Sequence, residues 1–132
     1  MKAPLLFVVT GLFSTIFIAP ANAGLFDSGC GNNKTHNFYY GKRGLHDRLL
    51  YTTHLIKDYS LLRKTTYDVD FPSKGQPNKG MITYIEVLDQ RNDGNGGCAY
   101  IQNGGVGETK VSIHLKSKRN YGLDFLINVY GY

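Results

Sequence analysis

The sequence predicts an all-β fold: a small antiparallel β-sandwich of six or seven strands with short Gly/Asn-rich turns. Three observations carry this. Runs rich in β-branched and aromatic residues alternate apolar with polar at a period of two. Gly, Asn and Pro separate the runs at roughly the 8–12-residue spacing of a sandwich or barrel. No segment carries an i, i+3, i+4 apolar stripe with caps. Residues 45–59 come nearest, and their Thr and Tyr content argues against a helix.

The elements follow in chain order. Residues 1–23 read as a secretory signal peptide. Lys2 gives a positive start, Leu5 to Ile18 is uncharged, Pro20 breaks a helix, and Ala21-Asn22-Ala23 is a small-x-small cleavage pattern. The apolar stretch is shorter than the ~18 residues of a membrane span, and no basic stop-transfer cluster follows. Residues 24–35 form a Gly-, Asn- and Ser-rich flexible lead-in. Asn33-Lys34-Thr35 is a glycosylation sequon that an exported chain would present to the machinery. Residues 36–132 then form a single β-sandwich domain.

Within that domain Leu49 to Ile56 reads as a strand, with Leu49, Tyr51, Thr53 and Leu55 on one face. Leu61 to Val69 is a second run, stopped by Phe71-Pro72. In Met81–Leu88, Ile82, Tyr84 and Leu88 lie opposite Met81, Ile85 and Val87, the pattern of a central strand covered on both faces. Cys98 to Gln102 is a short strand between Gly-Gly pairs, which read as tight turns. Val111, Ile113 and Leu115 point inward, as do Leu123, Phe125, Ile127 and Val129 in the last run. Ile82, Val87, Val111, Ile113, Leu115, Phe125, Ile127 and Val129 are the expected core.

Composition bounds the function. A chain of 132 residues, 42% hydrophobic and 19% charged, is one domain and no disordered tail. Two cysteines exclude both a multi-disulfide mini-protein and a Cys₄ metal site. In an oxidising compartment they make one disulfide, Cys30–Cys98. Closing so long a loop contributes roughly 4 kcal/mol in the chain-entropy model.

Motifs for chemistry are sparse. Asp89, Asp93 and Asn95 invite a calcium reading. The segment fails the EF-hand pattern, because Arg91 and Tyr100 stand where ligands belong, and a turn is the simpler reading. Asn103-Gly104-Gly105-Val106-Gly107 lacks phosphate-loop spacing and leads into a strand. His36, His46, His54 and His114 have no metal-binding spacing and read as solvated or edge histidines. There is no GxSxG or HExxH. No catalytic residue, metal site or cofactor is therefore expected.

Lys42-Arg43, Arg63-Lys64 and Lys116-Ser117-Lys118-Arg119 are basic runs in a chain of net charge +5. The last lies between two strands and could meet an acidic surface such as nucleic acid, glycosaminoglycan or phospholipid, but a solvated hairpin end accounts for it in so modest a field. Ten tyrosines suit half-buried strand positions, and some could serve a binding surface.

One ordered set of residues goes further. Val87-Leu88-Asp89-Gln90, Asp93-Gly94-Asn95-Gly96-Gly97, Asn103-Gly104-Gly105-Val106-Gly107, Val111-Ser112-Ile113, Gly122, Phe125 and Val129-Tyr130-Gly131 resemble the multiprotein bridging factor 2 family of insects. Gly41, Asp47-Arg48-Leu49-Leu50-Tyr51 and Tyr67-Asp68-Val69 fit the same pattern, so the resemblance covers roughly 37–132. Arg119-Asn120-Tyr121 departs from it, standing where a Gly-containing turn is expected.

The family name implies a transcription co-activator that bridges a DNA-bound regulator to the general machinery; many members are small secreted proteins, including salivary peptides. The leader and the cysteine pair favour the second kind. The expected function is thus a secreted, non-enzymatic binding protein of arthropod saliva, gut or haemolymph, the co-activator being the alternative. Its partner is an extracellular protein or small ligand; nucleic acid and a membrane span are not expected. The candidate recognition loops are Asp89–Gly97, with Asp89, Asn92, Asp93 and Asn95, and Asn103–Gly107, with Asn103 and Gly105.

Overall fold

A computed structural model describes residues 33–132. The segment predicted as a signal peptide, Cys30 and most of the predicted lead-in lie outside the described residues. Seven strands run β1 (Phe38–Gly41), β2 (Arg48–Lys57), β3 (Thr66–Phe71), β4 (Ile82–Asp89), β5 (Cys98–Gly104), β6 (Val111–Lys116) and β7 (Leu123–Gly131). They pair antiparallel into a four-stranded sheet of order β1-β4-β7-β2 and a three-stranded sheet of order β3-β6-β5. The two sheets form the predicted sandwich.

The period-two residues fill the space between the sheets. Ile85, Val87, Phe125, Ile127 and Val129 face Val69, Val111, Ile113 and Leu115 in one continuous core. All eight residues expected in the core are buried. Tyr51 and Phe71 close one side across the sheets, with ring centroids 5.4 Å apart. On the other side the Tyr40 hydroxyl donates to the Ala99 carbonyl at 3.2 Å.

The structure departs from the sequence reading in β2, in β4 and, as the third change, in the run before β3. A register shift between Leu49 and Tyr51 turns Leu50 into the core and leaves Leu49 47% exposed, so only Tyr51, Thr53 and Leu55 keep the expected face. A second shift between Ile82 and Tyr84 brings Ile82 onto the face of Ile85 and Val87. β4 is central in its sheet, but Tyr84, Glu86 and Leu88 are only half-buried on the face turned away from the second sheet.

The third change is in the Leu61–Val69 run. Its first half is an exposed loop, because Leu62 takes a left-handed φ of 63°. Extension begins at Thr66 and continues through Phe71, which is core rather than a stop. β1, only four residues long with Tyr39 57% exposed, is too short for alternation to mark it in the sequence.

Candidate functional site

β5 separates the two predicted recognition loops. The β4–β5 loop enters at Cys98 and the β5–β6 loop leaves after Gly104. At ~3.3 Å per residue the loops start about 20 Å apart, at opposite ends of the sandwich. They are two surfaces, with different neighbours.

At the first end the β4–β5 loop meets residues 33–37 and the loops 58–65 and 117–122. Asp89 is buried at 6% exposure, and both its carboxylate oxygens are engaged. One accepts from the His36 amide and the other from the Arg91 amide, each at 2.8 Å. The Asn37 side chain accepts from the Asp89 amide at 2.8 Å. Asp89 therefore ties the segment before β1 to the end of β4. Gly96 passes directly over this carboxylate, where any Cβ would collide with it. His36 is buried rather than solvated; its Nδ1 lies 3.1 Å from the Gly97 carbonyl, and its Nε2 has no partner among the described residues.

Asp93 is held by Arg91 at 2.9 Å and by the Asn95 amide at 2.9 Å. Arg91 first, then that amide, lower its pKa to about 2. Asn95 is half-buried and Asn92 is exposed. No group of three or more His, Cys, Asp or Glu residues converges for a metal ion among the described residues. The carboxylates of the supposed calcium loop thus serve backbone amides and an arginine.

Arg91 also lies over the Tyr121 ring, 5.2 Å from its centroid. Both line a groove of about 380 Å³ with Ile56, Tyr59, Asn120 and Asp124. Tyr121 and Asn120 come from the basic β6–β7 loop, and Tyr59 from the β2–β3 loop. This groove is a concave feature of the described residues at that end.

At the second end Gly105 is buried with φ 121°. Its amide donates to Lys110 O at 2.9 Å. The same loop clamps the start of β4, with Gly107 N to Ile82 O and Ile82 N to Glu108 O, both 2.8 Å. Asn103 follows a register shift in β5 and lines a shallow groove of about 320 Å³ with Phe71, Pro72 and Lys110. Gly105 supports the fold, while Asn103 faces outward, as do Val106 and Gly107 of the same loop.

Two histidines make cross-strand pairs that the sequence did not reveal. His54 meets Asp124 and His114 meets Asp68, each at 2.6 Å on an outer sheet face. Register alone places them opposite or diagonal, so only a strand alignment could have found them. Cys98 opens β5 and is buried; among the described residues no cysteine is free. Cys30, its predicted partner, lies outside the described residues. Asn33 is exposed in a bend next to Gly94.

The fold and its ends define a class: a small antiparallel β-sandwich whose polar grooves are built by loops. The particular family follows from comparison. The chain belongs to the MBF2 family, since the family model described as "Transcription activator MBF2" matches residues 40–131. It is also 38% identical over 102 residues to a "Probable salivary secreted peptide" of Bombus ignitus, covering 74% of this chain and 71% of that one. No solved structure matches the chain.

Proposed function

We propose that this protein works outside the cell, as a small insect protein that acts by binding rather than by catalysis. The observation that carries the reading is the 38% identity to a relative described as a salivary secreted peptide. The leader sequence and the buried, engaged Cys98 support it. In this reading residues 1–23 are removed and Cys30 and Cys98 are joined. The binding end is the one that carries Arg91, Asn120 and Tyr121, where three loops build a groove on a rigid sheet.

A second reading, a nuclear co-activator, is favoured by the description of the family model. Compartment separates the two. The full chain with a C-terminal tag is expressed in insect cells, and medium, cytosol and nuclei are assayed for the tag. The extracellular reading expects accumulation in the medium. Confinement to nuclei contradicts it and selects the co-activator.

A further inference from the structure

Two basic pairs, far apart in sequence, are joined at the first end. The Ser117 amide donates to Thr65 O at 2.8 Å, and Thr65 N donates back to Ser117 Oγ at 2.7 Å. Asn120 N donates to Arg63 O at 2.9 Å. Arg63-Lys64 and Lys118-Arg119 therefore share one ridge of two interlocked loops, and all four side chains are exposed. None of them pairs with a carboxylate among the described residues. Lys118 Nζ and an Arg119 guanidinium nitrogen donate instead to the neutral carbonyls of Gly94 and Leu62, at 2.8 and 2.7 Å. The ridge keeps its positive charge.

The same ridge exposes apolar side chains. Tyr59, Leu61 and Leu62 are 66%, 72% and 67% accessible. Leu62 holds a left-handed conformation that leucine adopts at a cost. Its amide donates to Asn120 Oδ1 and its carbonyl accepts from Arg119, so the neighbouring loop fixes the tip's backbone from both sides. Those bonds occupy the backbone and leave the leucines in water.

We propose that this ridge docks on the surface of an anionic phospholipid bilayer. It rests on the binding reading above and deepens it by naming the partner as a lipid surface. Uncompensated cations complement acidic headgroups, and the apolar layer beneath those headgroups takes up the adjacent Leu61 and Leu62. A sulfated glycan would satisfy the cations and leave Leu61 and Leu62 exposed.

The test is flotation of the purified processed chain, residues 24–132, with vesicles of phosphatidylcholine, alone or with phosphatidylserine. Because it uses purified protein, its result is independent of where cells send the chain. Co-flotation is expected only with phosphatidylserine, weakening with salt. Lys64→Gln with Lys118→Gln should lower partitioning about 25-fold, at roughly fivefold per cation. Leu62→Gly fits the left-handed φ without strain, so it should keep or raise the melting temperature while lowering partitioning roughly tenfold. Leu45→Ser, at the opposite end and 92% exposed, should change nothing. No flotation, equal flotation with both vesicles, or full binding by the Leu62 or double-lysine variant would overturn the proposal. So would loss of binding in the Leu45 variant. Salt-sensitive capture on heparin without flotation would assign the ridge to a sulfated glycan instead.

Discussion

Replacing Asp89 by Ala removes the acceptor for two backbone amides at once. The structure gives the magnitude. The His36 amide is buried, and an orphaned buried donor costs about 1–3 kcal/mol. The Arg91 amide is only part-buried, so water recovers some of its loss. Together about 2–3 kcal/mol is expected for Asp89→Ala. For a domain of this size each kcal/mol moves the melting temperature by roughly 4–8 °C, which gives a drop on the order of 10–20 °C. Thermal unfolding followed by circular dichroism, with and without calcium, is the assay. Asp70→Ala, an exposed carboxylate in β3, is the control and should shift stability by less than about 0.5 kcal/mol. If both variants melt together, or if calcium raises the melting temperature of the parent and not of Asp89→Ala, the reasoning fails: Asp89 would then be a ligand rather than a tie between segments.

Three further outcomes are expected. Gly96→Ala drives a methyl group into the same carboxylate and should destabilise by about 1–3 kcal/mol in thermal unfolding. Leu115→Ala empties a fully buried position between the sheets and should cost about 2–5 kcal/mol by urea denaturation. The Asp93 carboxyl should titrate near pH 2 by nuclear magnetic resonance. Because its folded pKa is depressed, its contribution to stability is present above the unfolded value of 3.8 and is lost as pH falls from there toward about 2. Arg91→Gln should return that titration toward 3.8.

Strand existence was legible wherever alternation was uninterrupted. Val111, Ile113 and Leu115 alternate with Ser112, His114 and Lys116, and β6 begins and ends as read. β2 and β4 were found, but each carries a register shift that swaps one residue's face, and a shift depends on the partner strand rather than on local pattern. Leu61-Leu62 looked like strand because apolarity is local; its loop conformation is imposed by Asn120 and Arg119, whose approach no local window contains.

The site was less legible than the fold for the same reason. Asp89, Asp93 and Asn95 offer oxygens in sequence, yet Asp89 is occupied by the amide of His36, 53 residues away, and Asp93 by Arg91 within the turn. Asn103 and Gly105 sit at the other end of a strand only seven residues long. The one local signal for the joined ridge was Asn120, a residue that tolerates the left-handed φ of 73° it adopts, in the turn where a glycine had been expected.

The extracellular reading is tested most directly by the intact mass of the protein recovered from insect-cell medium, after alkylation without reductant. The account predicts a chain beginning at Gly24, with no alkyl group added and the mass of a closed Cys30–Cys98 bridge. An unprocessed chain beginning at Met1, with both cysteines alkylated, would contradict it.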